Sequence, residues 1–223
     1  IKRGFNIMDI KSISYKKLEG FSLNPDLCNE LINDIDKKIS TGNITSTHYG
    51  ESEFRIFDYS DNNSICNDLV SDLIAWASKN SLSLELKTCL AIKNTASGYD
   101  KKFNEGRWHL DSFNNEYKFF VYLNDVYPGN GQLQVIDKTN SFFFKLKNII
   151  LSNYFSISDL FTGKRRYQSL DDLFIKKLTR KLNIVDIVSS RGGIFFVNSS
   201  SIHRACPIES NERYALTFYM NKI

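Results

Sequence analysis

The sequence is short of the features that usually punctuate a protein. Only three prolines occur, Pro25, Pro128 and Pro207. No stretch is rich in Pro, Gly and Ser together, so nothing reads as a linker between domains. No segment repeats. No apolar run reaches the ~18 residues of a membrane-spanning helix, and there is no signal-peptide pattern. The chain opens on Ile1 rather than methionine, and no weight rests on residues 1–7. These absences predict a single domain over 1–223, in a soluble cytoplasmic protein with no membrane partner. The four cysteines, Cys28, Cys66, Cys89 and Cys206, contain no CxxC pair of the zinc-binding kind. Buried free thiols in a reducing compartment are expected instead, with Cys66 and Cys89 in a helix and a strand. The formal charge of +4 is too small to imply a nucleic-acid partner.

Aromatic residues, by contrast, are plentiful. The 17 Phe and 11 Tyr suit pleated surfaces, and the chain is long enough to bury one sizeable core. Asn24-Pro25-Asp26 predicts a helix start, with Asn as cap and Pro in the first turn. Leu27, Leu31, Ile32 and Ile35 follow at helical spacing. Ser64 is the expected cap of a second helix carrying Ile65, Leu69, Val70, Leu73 and Ile74. Strands are expected over 53–59 and 84–94. Farther on, 117–126 reads as a strand that ends at the Pro128-Gly129-Asn130-Gly131 turn, with 132–136 as its hairpin partner. A helical insert is expected over 142–182, broken near Thr162-Gly163. Strands over 184–188, 193–198, near Ile202 and over 212–220 close the chain. The pattern predicts an α+β fold with flanking N-terminal helices. Its core is expected to be a double-sheet roll, a jelly-roll or cupin-like double-stranded β-helix.

Histidine is scarce, with only His48, His109 and His203 present. Within Trp108-His109-Leu110-Asp111, His109 and Asp111 are two apart, so on extended backbone they point to the same side. An imidazole and a carboxylate can then reach one ion. His203 is the candidate third ligand, just after the 193–198 strand. Two His and one carboxylate make the facial triad of non-haem iron oxygenases, which leaves positions open for other ligands. Alone, a His-x-Asp is a weak signal, and a lone His is more often structural. His48 sits in a polar stretch and reads as a loop or surface residue, or else as a substrate contact.

The segments WHLDS, YKFFVYLNDVYPGNGQL and RGGIFFVNSSSIHRACPIESNERYALTFY resemble the phytanoyl-CoA dioxygenase branch of the iron(II)/2-oxoglutarate-dependent oxygenases. The likeness runs over about half the chain, 108–220. It is carried by Trp108, His109, Asp111, Lys118, Tyr122, Leu123, Asp125, Val126, Asn130, Gly131, Gly193, Phe195, Phe196, His203 and Arg213. It implies Fe(2+) held by His109, Asp111 and His203, with 2-oxoglutarate and O2 as co-substrates. It also implies hydroxylation of an unactivated carbon, with release of succinate and CO2. Arg213, ten residues past His203, would grip the far carboxylate of 2-oxoglutarate through a planar guanidinium. Lys118 and Tyr122 are further candidates for cofactor contact. Lys118 needs an anion if its strand face lines the barrel, and is solvated if the face is reversed. A carboxylate at Asp111 favours hydroxylation or desaturation over halogenation. One departure is clear: Ile136-Asp137-Lys138-Thr139-Asn140 stands where the family often carries a Pro-Gly-Ser-His turn.

The substrate is not legible beyond a small molecule. The insert carries Lys164-Arg165-Arg166, then Lys176, Lys177, Arg180 and Lys181. These form either a solvated face or a lid for an anionic, phosphate-bearing or carrier-tethered substrate. Asn94, Tyr99 and Phe113 are candidate pocket residues by proximity. Two other readings use the same residues. A cupin-like metalloenzyme without 2-oxoglutarate would have no use for Arg213, and a non-catalytic β-roll that binds a ligand would hold no metal.

Overall fold

A computed structural model of the chain describes residues 10–43, 46–48, 52–96, 106–150, 158 and 169–223. Helix α1 spans Pro25–Ser40, and its Asn24 cap accepts from the Asp26 amide at 2.8 Å. Cys28, Leu31 and Ile35 form its buried stripe. Helix α2 spans Ser64–Lys79. Its cap is Asn63, one residue earlier than the expected Ser64. Asn63 is still extended and accepts from the Cys66 amide at 3.0 Å, whereas Ser64 is already helical.

Ten strands occur among the described residues: β1 Tyr15–Ser22, β2 Ser46–His48, β3 Glu53–Ile56, β4 Leu84–Thr95, β5 Tyr117–Tyr122, β6 Leu133–Ile136, β7 Ile184–Ile187, β8 Gly193–Asn198, β9 His203–Ala205 and β10 Glu212–Lys222. They form two antiparallel sheets. The larger has seven strands in the order β1-β8-β5-β10-β4-β3-β2, and the smaller has three in the order β7-β6-β9. From β5 onward the chain passes between the sheets, which brings distant segments together.

Period-2 alternation decides what each face of the larger sheet buries. On β5, Phe119 and Val121 face the helices, with Phe196, Leu216 and Phe218 from neighbouring strands. Each such side chain contributes about 1.5–3 kcal/mol by leaving water. The T-shaped contact between Trp76 of α2 and Phe119, at 5.7 Å, ties helix to sheet. The opposite face presents Tyr122, Phe195, Val197 and Ala215 to Leu133, Val135 and Ile187 of the smaller sheet. A third cluster packs the insert against Trp108, Leu110 and Phe113.

Several expectations need correcting. The 53–59 strand stops at Ile56, because Asp58 takes a left-handed φ of 51° and Tyr59 opens a 3-10 turn. The 117–126 strand ends at Tyr122. Strand β6 is not its hairpin partner: β6 pairs with β7 and β9, while β5 pairs with β8 and β10. The intervening turn has left-handed Gly129 and Gly131 and a bridge from Asn130 to Ile208, and it carries the chain from one sheet to the other. Strand β1 was not anticipated. It pairs with β8 at the edge of the sheet, and within it Leu18 alone is buried. His48 lies on β2 rather than in a loop.

The insert is helical in parts. It comprises α3 at Phe142–Lys145, a π-helical turn at Leu146–Ile150 and α4 at Asp172–Leu178. The expected break at Thr162-Gly163 and the basic run Lys164-Arg165-Arg166 lie outside the described residues. Lys176, Lys177, Arg180 and Lys181 are exposed. Cys28, Cys66 and Cys89 are buried free thiols, and Cys206 is free and half-buried. Among the described residues no helix is long and apolar enough to cross a membrane.

Candidate metal centre

The extended segment around His109 pairs with the start of β9. His109 and His203 exchange two backbone hydrogen bonds, at 3.0 and 2.9 Å, and the next rung runs from the Asp111 amide to the Ser199 carbonyl at 3.2 Å. Alternation along the segment sends Trp108 and Leu110 into the insert core. His109 and Asp111 line the cavity between the sheets. One ligand atom each from His109, Asp111 and His203 lies within 4.8 Å of the others. Each imidazole Nε2 is 3.7 Å from a different Asp111 oxygen.

The other ring nitrogens are committed. Nδ1 of His109 lies 2.9 Å from the Arg107 carbonyl, and Nδ1 of His203 lies 2.8 Å from the Ser201 carbonyl. A carbonyl can only accept, so each Nδ1 carries a hydrogen and Nε2 is the ring atom turned toward Asp111. Burial, and then the neighbouring His109, holds His203 down to about 4, so it is neutral at neutral pH. Two imidazoles and a carboxylate therefore converge, a donor set that a divalent cation satisfies.

Lys118 faces this cavity and is 5% exposed. Its anion is Asp111: the ammonium donates to Oδ2 and sits over the Tyr219 ring, 4.2 Å from the centroid. Burial works against charge on both groups, but the pairing outweighs it. The Asp111 carboxyl lies well below its usual range, and the Lys118 ammonium lies above its own. Tyr122 lines the cavity with its ring, while its hydroxyl donates to the Ile187 carbonyl at 3.1 Å and accepts from the Leu133 amide at 3.2 Å.

Arg213 opens β10 opposite Asn94 of β4, which lies opposite Glu53 of β3. The row is joined by hydrogen bonds. Arg213 donates from one terminal nitrogen to the Gly131 carbonyl and from the other to Asn94 Oδ1 at 2.6 Å. Asn94 Nδ2 donates to Glu53 Oε2 at 2.6 Å, and Arg55 Nε donates to Glu53 Oε1 at 2.6 Å. Arg213 is 8% exposed, and its Nε is buried without a partner among the described residues.

The cavity encloses about 170 Å³. The triad, Lys118, Arg213, Glu53 and Arg55 are its polar lining, and Ile92, Phe120, Tyr122, Leu133, Ala205 and Ala215 are its apolar lining. Glu53 and Arg55 were missed by the sequence reading. Their signal is two opposite charges at alternate positions of one strand, which puts both on one face. Asn94 meets Arg213 directly. Phe113 packs against the insert rather than in this cavity, and Tyr99 lies outside the described residues.

No protein-family model and no curated protein matches this sequence. Solved structures do resemble it. EctD from S. alaskensis with bound Fe superposes with a TM-score of 0.68 at 15% identity, covering 96% of this chain and 75% of that one. The epimerase SnoN, in complex with Fe3+, alpha ketoglutarate and nogalamycin RO, gives 0.68 at 12% identity, covering 96% and 81%. A Pseudomonas putida prolyl-4-hydroxylase gives 0.58 at 12% identity, covering 96% of each chain. At identities this low the likeness establishes architecture, and on that footing the chain shares the fold of these three proteins.

Proposed function

We propose that this chain is an iron(II)- and 2-oxoglutarate-dependent oxygenase built on a double-stranded β-helix. In this reading it hydroxylates an unactivated carbon of a small-molecule or carrier- or phosphate-bearing metabolite. The observation that carries the reading is the shared cavity: His109, Asp111 and His203 converge at one end, and buried Arg213 has an unpartnered Nε. The donor set fits iron(II). The orphaned guanidinium nitrogen fits a carboxylate, because leaving a buried charged donor unmet is costly. Support also comes from the neighbours, one of which is described with iron and another with Fe3+ and alpha ketoglutarate.

When bound, iron(II) and 2-oxoglutarate would supply oxidative decarboxylation to succinate and CO2, coupled to oxygen insertion into a C–H bond. The chain's own residues hold and orient. The carbonyls of Arg107 and Ser201 take the Nδ1 hydrogens of His109 and His203, which turns each Nε2 toward the site. Lys118 keeps Asp111 ionised and orients its carboxylate. Arg213, held in place by Gly131 and Asn94, would receive the distal carboxylate of 2-oxoglutarate. The rings of Tyr122 and Phe120 limit water in the cavity. Asp111 would give the metal a carboxylate ligand in place of a halide, which favours hydroxylation or desaturation over halogenation. The neighbours include an epimerase as well as a hydroxylase, so the fold leaves the oxidative outcome open.

The test is succinate release from 2-oxoglutarate by the iron(II)-loaded protein. His109→Ala is expected to abolish it. Turnover indifferent to that substitution would sink the assignment.

A further inference from the structure

Lys145 closes α3 and is 2% exposed, yet among the described residues no carboxylate faces it. Its ammonium donates to the Phe113 carbonyl at 2.5 Å and to Ser200 Oγ at 3.1 Å. It also lies over the Phe113 ring, 5.3 Å from the centroid. Burial alone lowers it to about 8. Packing does not call for a charge here. The apolar cluster of the insert lies to one side and the uncharged polar residues Asn115, Asn140, Ser141 and Ser200 to the other, and a methionine would fill a similar volume. A lysine adds N–H donors, and their two acceptors belong to the segments that carry the triad.

Phe113 lies just past Asp111, and Ser200 lies just before His203. Backbone rungs join these two segments as far as Asp111 and Ser199. The chain then loops through 112–115 before the Glu116 carbonyl accepts from the Ser199 amide at 2.7 Å. Lys145 spans that loop. The π-helical turn Leu146–Ile150, directly after Lys145, anchors it by bringing Ile149 and Ile150 into the core behind Trp108 and Leu110. Such turns concentrate at functional sites. The insert thus packs on the back of the segment whose front carries His109 and Asp111.

We infer that Lys145 is a positioning residue for the metal centre: by tying the Phe113 carbonyl to Ser200 Oγ, it sets the spacing of the Asp111 and His203 segments and makes the insert part of the site. The inference rests on the metal reading of His109, Asp111 and His203. Groups that orient metal ligands without touching the ion influence affinity, and losing one typically weakens binding about 10- to 100-fold.

The experiment titrates metal-free protein with manganese(II) alone, reading free ion by electron paramagnetic resonance, with the Tm of each metal-free form measured alongside. Wild type, His109→Ala, Lys145→Met and Ser200→Ala are compared. His109→Ala is expected to abolish binding. Lys145→Met is expected to raise the Kd roughly tenfold or more, while its metal-free Tm stays within about 4 °C of wild type. Ser200→Ala removes one anchor, together with the hydroxyl's own bonds to Asn198 at 2.7 Å and Asn115 at 3.2 Å, without disturbing core volume, and should raise the Kd as well. Unchanged Kd in both Lys145→Met and Ser200→Ala overturns the inference and leaves the metal reading standing. So does a Lys145→Met protein that loses affinity only with a collapsed Tm while Ser200→Ala binds normally. If wild type binds no manganese(II), or His109→Ala binds as well as wild type, the metal reading falls and the inference falls with it.

Discussion

At Arg213, both terminal nitrogens are engaged by Gly131 and Asn94, and Nε has no partner among the described residues. A lysine could restore the charge but not the fork. Arg213→Lys is therefore expected to raise the KM for 2-oxoglutarate about 10- to 100-fold, the range for a lost hydrogen bond to a charged group. The fall in kcat should be smaller. Initial rates of succinate release against 2-oxoglutarate concentration check this, and an unchanged KM would remove Arg213 from the co-substrate site. The same residue shows what sequence can carry. Its type and its distance from His203 were legible. Asn94 was legible only as a pocket candidate and Glu53 not at all, because the row Arg213, Asn94, Glu53 is assembled across strands far apart in sequence.

The turn between β7 and β8 shows how a single backbone position limits an element. Gly192 has a φ of +83°, and an added Cβ would fall onto the Leu23 carbonyl oxygen. Its own amide donates to Tyr122 at 2.7 Å, and its carbonyl accepts from Leu23 at 2.9 Å. Gly192→Ala meets both a left-handed penalty and a clash with backbone. It is expected to cost about 2–4 kcal/mol, enough to lower Tm by about 8 °C. A thermal melt within a degree or two of wild type would mean the turn can rearrange. Elements were readable where the signal is local. The Asn24 cap, the α1 stripe and the Phe-rich β8 all follow from nearest neighbours and period. Partners were not readable. Strand β6 looks like the return of a hairpin, yet pairing is decided by which surfaces must be buried, and β6 completes the second sheet instead. Strand β1 hides because an edge strand with one buried position carries almost no alternation.

For the molecule as a whole, Lys145 makes stability depend on alkaline pH in an unusual direction. The unfolded chain keeps its proton up to the ordinary value of 10.5, while the folded chain releases it from about 8. The unfolded state thus binds more protons in that window, and stability contributed by this residue rises with pH. Relative to Lys145→Met, wild type should gain about 3 kcal/mol between pH 8 and 10.5. Urea unfolding of both proteins at the two pH values tests this, and a constant difference would contradict it. Comparing the two proteins cancels the opposing contributions of Cys28, Tyr59 and Tyr214, all raised chiefly by burial. The triad was legible because so few histidines compete for the role, whereas Lys145 sat in an insert whose helical pattern gave no sign of its anchors. The backbone bridge between His109 and His203 has one more consequence, in time rather than space. A growing chain exposes His109 and Asp111 long before His203 and Arg213 exist. At ordinary synthesis rates the gap is about 5–20 s. During that interval only two of the three converging side chains exist, so if the cluster holds a metal ion, as proposed, its complete donor set forms only once His203 has been made.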